Sequence, residues 1–368
     1  MEKINKLKNF FKSEKIDGYI IPKNDEFFGE YIPEHKDRLK YISGFTGSYG
    51  FALILSDRNY LFVDGRYTLQ ANNQSGKFFK IKTIPNELPH DILLNKKLKI
   101  GFDSKLFTKK SLNIFFGKTN CEYIPLPKNL VDKIWIRKKS ELNNKFYKLP
   151  NSAIGENYKS KVNKILVELK KSRSDFKFIT ASENNAWLLN IRGNDSKYTP
   201  IPYSYILIDQ KKNIIFFCNL KKISPSFKTN FNKVKFTDIN LTIKILSKIN
   251  KKKFIIDDST CSIFFENIIL KNNKILNSND SIYFLKAIKT KNEIENIKKA
   301  HIYDGAALTK YLFWLKNNFI KKKITEISAA QKLFNFRKQN KSFKFLSFPT
   351  ISGTGPNGAI IHYKATKN

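Results

Sequence analysis

The feature that most constrains the fold is a plan of elements that occurs twice along the chain. The first copy runs helix, strand, short helix and hairpin, and its hairpin covers residues 51–63. The second copy repeats this order, with a hairpin over residues 205–217. Between them, the segments WLLNIRG (187–193) and YISGFTG (41–47) align. Each copy has its own apolar strands and covering helices, so the sequence predicts two similar α/β domains rather than one large one.

Hydrophobic periodicity places the individual elements within the two copies. In the first copy it predicts a helix over 4–11, strands over 19–21, 98–102 and 121–124, a short helix closed by glycines within 38–47, and a helix over 109–116. In the second copy it predicts a helix over 162–169 and a strand over 176–180. At the end of the first hairpin, Asp64 and Arg66 are close enough in sequence to form an ion pair, which we interpret as structural.

A third segment follows the two copies. Thr290 and Glu293 form a capping box, which predicts the start of a long amphipathic helix over residues 290–315, and a second helix follows over 327–336. The chain has 368 residues, which is enough for two or three domains. A connection rich in Lys and Asn ends near Pro150. We therefore predict domains over residues 1–150, 151–285 and 286–368.

The net charge of +37 raises the question of nucleic-acid binding. Only seven of the 68 basic residues are arginine, and the lysines are spread along the chain. A site built for phosphate and bases favours arginine, so we expect weak, salt-dependent adhesion and no specific nucleic-acid partner. A basic nucleic-acid binder stays open as an alternative that rests on charge alone.

Cysteine usage and the N-terminus bear on the compartment. The three cysteines, Cys121, Cys218 and Cys261, have no metal-type spacing and are predicted to be buried thiols in a reducing compartment. The N-terminal residues alternate charged and apolar types, which is not the pattern of a signal peptide. No apolar run approaches the roughly 18 residues that span a bilayer. These observations predict a cytoplasmic protein without a membrane partner.

The last stretch, FPTISGTGPNGAIIHY (348–363), contains the most distinctive local pattern. Its three glycines permit unusual backbone conformations, and Pro-Asn-Gly at 356–358 is strong turn chemistry. We expect a tight loop that leads into a strand over residues 359–361. His362 would then lie at the strand end, where its imidazole could bind or protonate a ligand. The alternative is a purely structural histidine.

Three motifs occur in order along the chain: FTGS (45–48) with VDGRYTLQ (63–70), SENNAWLLNIRGND (182–195), and the glycine-rich stretch 348–363. Together they resemble the aminopeptidase P (Xaa-Pro aminopeptidase) family in its long, three-domain form. The resemblance covers essentially the whole chain. It implies an α/β fold in which two similar creatinase-type N-terminal α/β domains (1–150 and 151–285) are followed by the first part of a pita-bread metallopeptidase domain (286–368).

The resemblance also implies a function. Family members remove the N-terminal residue of peptides with proline in the second position, using two metal ions, usually Mn²⁺, and they form homodimers. The motif assigns His362 to substrate contact and catalysis rather than to metal binding. Glu30 is a candidate contact for the substrate ammonium group in the cleft of a neighbouring subunit, and the alternative is a solvated surface glutamate. The family's metal ligands, two Asp, one His and two Glu, come later in the chain, so no metal ligand or metal cofactor is expected within these 368 residues.

Two function classes follow from this pattern. The first is a metallo-aminopeptidase, of which this chain would be a fragment without activity of its own. The second is a noncatalytic fragment or pseudoenzyme that serves as an assembly or peptide-binding module. The presence or absence of the metal ligands after Asn368 discriminates between them.

Overall fold

The computed structural model describes residues 1–137 and 144–366. Two compact units make up the chain: the first comprises Met1–Lys148 and Asn157–Ala287, and the second comprises Leu149–Glu156 and Ile288–Asn368. Part of the predicted Lys/Asn-rich connection, residues 138–143, lies outside the described residues. The division of residues 1–287 into domains at position 150 stays a prediction.

Strands and helices alternate through the first unit. The strands are β1 (Gly18–Pro22), β2 (Phe51–Leu55), β3 (Asn59–Asp64), β4 (Lys80–Ile84), β5 (Lys99–Phe102), β6 (Glu122–Pro125), β7 (Tyr147–Lys148), β8 (Phe176–Ile179), β9 (Ile191–Arg192), β10 (Tyr205–Asp209), β11 (Ile214–Cys218), β12 (Val234–Asp238), β13 (Lys253–Ile256) and β14 (Lys274–Asn277). Across both units, the α-helices of the described residues are α1 (Glu2–Lys8), α2 (Phe11–Glu14), α3 (Arg38–Ser43), α4 (Thr68–Ser75), α5 (Pro89–Leu93), α6 (Lys109–Phe116), α7 (Leu130–Ile134), α8 (Asn151–Ile154), α9 (Tyr158–Lys171), α10 (Ser182–Leu189), α11 (Pro225–Lys228), α12 (Thr242–Leu246), α13 (Ile263–Leu270), α14 (Ser281–Ala287), α15 (Lys291–Asn318) and α16 (Glu326–Lys338).

Two six-stranded sheets confirm the predicted repeat. The first has the order β4-β3-β2-β1-β5-β6 and the second has β12-β11-β10-β8-β13-β14, which is the same order element for element. In each sheet the central strand, β1 or β8, pairs antiparallel with the hairpin on one side and parallel with the next strand on the other. Both predicted hairpins are present, as β2–β3 and β10–β11.

The repeat extends to individual side chains. Asp17, just before β1, accepts a hydrogen bond from the Lys99 backbone N–H at 2.8 Å. Asp175, just before β8, accepts the corresponding bond from the Lys253 N–H at 2.9 Å. Each carboxylate thereby caps the start of the neighbouring parallel strand, where a backbone donor would otherwise lack a partner. The two copies therefore share equivalent side-chain hydrogen bonds as well as the same strand order.

Each sheet is buried on both faces. In β1, Tyr19 and Ile21 belong to one apolar cluster, whereas Ile20 belongs to the cluster on the opposite face. In β8, Phe178 and Ile179 divide between two clusters in the same way. Since full burial of one such side chain stabilises a fold by about 1.5–3 kcal/mol, the layers on both faces hold the sheets in place.

Local predictions outside the sheets are also confirmed. Arg66 forms an ion pair with Asp64 at 2.6 Å. In the second unit, Thr290 Oγ1 accepts from the Glu293 N–H at 3.3 Å, and Glu293 Oε2 accepts from the Thr290 N–H at 2.8 Å, which completes the capping box at the start of α15. Arg337 of α16 then binds Asp304 of α15 through two hydrogen bonds of 2.6 and 2.9 Å.

Some apolar residues of the second unit lie open to solvent. On α15, Ile302 is 70% exposed and Phe313 is 72% exposed.

Among the described residues, no helix is both long enough and apolar enough to cross a lipid bilayer. All three cysteines are free thiols; Cys218 and Cys261 are buried as predicted, whereas Cys121 is only partly buried because it lies at the edge of its apolar cluster.

A buried ion-pair cluster in the second domain provides a test of how this fold is stabilised. Lys177 of β8 is almost fully buried and lies 2.8 Å from Glu168 and 2.9 Å from Asp280. Removing one member of such a cluster leaves buried charges without compensation. We predict that Lys177→Ala lowers the free energy of unfolding by about 3–5 kcal/mol, measured by urea denaturation.

The matched control is Lys211→Ala, which removes the same charge from an exposed hairpin turn. We expect that change to stay within about 0.5 kcal/mol of the parent chain. Equal effects of the two substitutions would show that the buried cluster contributes nothing specific.

Candidate functional site

The candidate site is the glycine-rich stretch that ends at His362. A 3₁₀ helix, Gly355–Ala359, occupies the middle of this stretch. Gly355 has a φ of +54°, in the left-handed region that glycine adopts without steric cost. A Cβ atom on Gly353 would lie 2.9 Å from the Asn357 carbonyl oxygen. Both positions therefore favour glycine, as the sequence indicated.

A single carboxylate holds this loop together. Glu326, at the start of α16, accepts hydrogen bonds from the Thr354 N–H at 2.8 Å, the Asn357 side-chain amide at 3.1 Å and the Tyr363 hydroxyl at 2.7 Å. The Asn357 amide also donates to the Tyr363 hydroxyl oxygen at 3.0 Å. Residues on both sides of the 3₁₀ helix are thus fixed to one point on α16.

These contacts shift the pKa values of the two ionisable partners, Glu326 and Tyr363, in opposite directions. The hydroxyl of Tyr363, which donates to the carboxylate, holds the pKa of Glu326 below its ordinary value, and the Thr354 N–H and Asn357 amide act in the same direction. The same bond raises the pKa of Tyr363. Near neutral pH, Glu326 is therefore a charged acceptor and Tyr363 a neutral donor, which is the pairing that the loop geometry needs.

His362 lies in a turn, and the predicted strand over residues 359–361 is wrong. Ala359 ends the 3₁₀ helix, and Ile360 is followed by a turn that contains His362. A strand must pair its backbone groups with a neighbouring strand, whereas here the Glu326 contacts favour local 3₁₀ and turn bonds, such as Tyr363 N–H to Ile360 C=O at 3.2 Å.

The backbone of His362 is itself unusual. Its φ is +57°, a left-handed conformation that is uncommon for residues with a side chain. Such conformations cluster at functional sites, where surrounding contacts maintain them. The side chain is exposed, so the turn presents the imidazole at the protein surface.

Glu30, the second candidate, belongs to the first unit. It is exposed and lies in a bend between β1 and α3. Its neighbour Tyr31 packs edge-on against Tyr198 with ring centroids 5.0 Å apart, and the Tyr31 carbonyl accepts from Ser196 Oγ at 3.4 Å. The bend that carries Glu30 is therefore attached to the second domain.

The described residues do not fit a dinuclear metal centre. Across residues 1–137 and 144–366, no three His, Cys, Asp or Glu side chains come together in a way that could hold a metal ion. No catalytic step is therefore assigned to a metal within this part of the chain.

Sequence reasoning missed Glu326. The only local signal is an acidic residue in the first turn of a helix, which is expected from the helix dipole alone. Its partners lie 28 to 37 residues away along the chain, so no spacing rule connects them. The role of Glu326 became visible only once α16 and the loop were placed together.

Known protein families match this chain in three consecutive segments. The Creatinase/Prolidase N-terminal domain family matches residues 3–127 and, a second time, residues 137–293. The Metallopeptidase family M24 matches residues 295–368. The fold class predicted from the sequence, two creatinase-type α/β domains followed by the start of a metallopeptidase domain, is thereby confirmed.

Individual relatives match along nearly the full chain. A probable Xaa-Pro aminopeptidase P of Laccaria bicolor is 33% identical over 100% of this chain and 60% of its own length. Xaa-Pro aminopeptidase 1 of Dictyostelium discoideum is 32% identical over 99% of this chain and 61% of its own length. The chain thus spans about three fifths of the length of these relatives.

A solved structure gives the same result. The X-prolyl aminopeptidase of Caenorhabditis elegans, described as a cytosolic enzyme with a di-nuclear active site, superposes with a TM-score of 0.91 at 27% identity. The match covers 99% of this chain and 63% of that one. Taken with the order of the matched domains, these similarities show that the chain belongs to the aminopeptidase P family, in the long form with two creatinase-type domains before the M24 metallopeptidase domain.

Proposed function

We propose that this chain forms the N-terminal part of an Xaa-Pro aminopeptidase, which removes the first residue of peptides whose second residue is proline. The supporting observation is the similarity to Xaa-Pro aminopeptidases along the entire chain, with all three domains in the same order. Proline creates a distinct substrate class because its tertiary amide has no N–H and its ring fixes the backbone.

His362 is proposed to contact the substrate rather than the metal. Its exposed imidazole, on a turn with a left-handed backbone, can donate a hydrogen bond to the scissile carbonyl oxygen or to the tetrahedral intermediate. Glu326 would act as a positioning residue, because its three hydrogen bonds fix the loop on which His362 is carried.

Glu30 is proposed to bind the substrate ammonium group in the cleft of a neighbouring subunit. Its exposure leaves the carboxylate accessible to a partner, and the attachment of Tyr31 to Ser196 and Tyr198 fixes the bend that carries it. This role requires a homodimer, which we propose by analogy with the family. We also propose Mn²⁺ as the metal of the complete enzyme and the cytoplasm as its location.

A noncatalytic role is the second candidate. The observation that favours it is the absence of a metal-ligand cluster among residues 1–137 and 144–366. In that case the two creatinase-type domains would serve assembly or peptide binding. Activity measurements separate the two candidates.

The role of His362 can be tested in a protein that carries the complete set of family metal ligands. We predict that His362→Ala lowers kcat by roughly 10²- to 10³-fold, the effect of removing one transition-state hydrogen bond, without loss of bound metal. The control is His301→Ala, which removes an exposed histidine from α15. Loss of metal in His362→Ala would identify a ligand, and unchanged turnover would identify a structural residue.

The role of Glu30 predicts a different kinetic signature in the same protein. If Glu30 binds the substrate ammonium, Glu30→Gln should raise KM by about 10-fold, because an exposed charged hydrogen bond is lost from the bound state. Glu122→Gln, an exposed glutamate at the start of β6, is the matched control. Identical KM values for the two variants would remove Glu30 from the substrate site.

The 368-residue chain by itself is predicted to release no amino acid from an Xaa-Pro peptide after addition of Mn²⁺. A metal pair needs several oxygen and nitrogen ligands at fixed geometry, and the described residues offer no such cluster. The assay is run beside a version extended through the family's metal ligands, which should be active. Metal-dependent cleavage by the 368-residue chain would place an active site among its own residues.

A further inference from the structure

The first unit contains a cleft that the proposed peptidase function does not use. Its volume is about 810 Å³, within the range of small-molecule sites. It opens where the parallel strands β1, β5 and β6 end: Glu26 follows β1, Asp103 and Ser104 follow β5, and Leu126 follows β6. In open α/β sheets, ligands bind in the crevice outside the carboxyl ends of the strands.

The second domain forms the opposite wall of the cleft. Phe264 and Ile268 of α13 line it. Two backbone hydrogen bonds attach the start of α13 to the loop after β5, from the Phe264 N–H to the Ser104 carbonyl at 3.1 Å and from the Ile263 N–H to the Phe107 carbonyl at 2.9 Å. These bonds fix the distance between the two walls, so the cleft is preformed.

A buried arginine lies at the base of the cleft. Arg38 is only 5% exposed and forms a fork with Asp132, through Nε and Nη2 at 2.9 Å each, while Nη2 also donates to Glu26 at 3.0 Å. Its remaining nitrogen, Nη1, is buried and has no hydrogen-bond partner within the described structure. Buried donors without a partner are rare, and one in a cleft points to an acceptor supplied from outside.

The acidic groups near Arg38 do not prevent an anion from binding in the cleft. Burial alone would raise the pKa of Glu26, but the charges of Lys36 and Arg38 outweigh it and hold the pKa at about 2, so this carboxylate is already neutralised by its partners. Burial raises the pKa of Asp103, which accepts a hydrogen bond from Asn129 at 2.9 Å. Asp103 also accepts a hydrogen bond from the Lys105 N–H at 2.9 Å, and Asp132 is held by Arg38, so the acids that line the cleft already have partners within the protein.

Four exposed lysines line the cleft; Lys133 forms an ion pair with Glu14, and the other three are Lys105, Lys128 and Lys271. Lys105 lies 4.8 Å from the centre of the Phe264 ring, which keeps its ammonium at the wall formed by the second domain. Several point charges around one planar guanidinium suit a multiply charged phosphoryl group better than a single carboxylate. Pro125, Leu126 and Ile268 add apolar surface for the body of the ligand.

We infer that this cleft binds a phosphate-bearing small molecule, with Arg38 at its base and the three lysines at its rim. The site is formed jointly by the two creatinase-type domains, so its ligand would also strengthen their association by binding only the assembled form.

The test uses pyrophosphate and succinate as probes of the 368-residue chain, at matched ionic strength, with affinity measured by isothermal titration calorimetry. The cleft variant is Lys105→Ala/Lys128→Ala/Lys271→Ala. The charge-matched control is Lys235→Ala/Lys244→Ala/Lys248→Ala, which changes exposed lysines on or near β12 and α12 of the second domain. Arg38→Lys, which keeps the charge and removes the fork, is the third variant.

We expect pyrophosphate to bind the parent chain and the control triple variant equally, and the cleft triple variant at least 10-fold more weakly. Arg38→Lys should also bind at least 10-fold more weakly if it folds, and the cleft triple variant decides the question if it does not. Equal weakening in both triple variants would mean attraction to the net charge alone and would overturn the inference. Succinate binding as tightly as pyrophosphate would overturn the assignment to phosphate.

Discussion

Burial of the central strand in each sheet is the constraint on which the rest of the first unit depends. All five residues of β1 are buried, and β8 is buried over three of its four positions. A strand covered on both faces needs helices above and below it and a paired strand along each edge. The hairpin supplies one edge and the next parallel strand supplies the other. Layer order and strand order both follow from this requirement.

The central strand pairs antiparallel on one side and parallel on the other, and this arrangement also determines where the polar residues that follow the strands lie. β1, β5 and β6 run parallel, so their carboxyl ends meet at one edge of the first sheet. The second sheet has the same arrangement in β8, β13 and β14. Asp103 after β5 and Asp257 after β13 occupy equivalent positions, and each accepts a backbone N–H two residues further on, at 2.9 and 2.8 Å.

These two edges account for how the creatinase-type domains associate. Thr108, which begins α6, and Ser262, which begins α13, form a β-bridge with each other. Equivalent positions of the two copies therefore meet, as they do at the symmetric interface of a homodimer. The cleft beside this bridge is closed by the partner domain, so its geometry depends on the association of the two copies. A ligand site at such a position would couple binding to domain association.

Much of this architecture was determined by the sequence on its own, because the interactions are local. Periodicity located both hairpins, the helix over 109–116 and the repeat, and the spacing of Thr290 and Glu293 was sufficient for the capping box, since its hydrogen bonds span three residues. The preference for glycine at Gly355 is also local, since it depends on a single backbone angle. Membership of the family could be predicted from three short motifs in order.

Tertiary structure decided the rest, because the partners are far apart along the chain. Arg38 meets Asp132 across 94 residues, and Glu326 reaches Tyr363 across 37, and neither spacing has a periodic signature. The stretch after Gly358 has the composition of a strand, yet it forms the end of a 3₁₀ helix and a turn, because the hydrogen bonds that would define a strand must come from elsewhere. The sequence determined which local elements could form, and long-range hydrogen bonds and burial selected their partners.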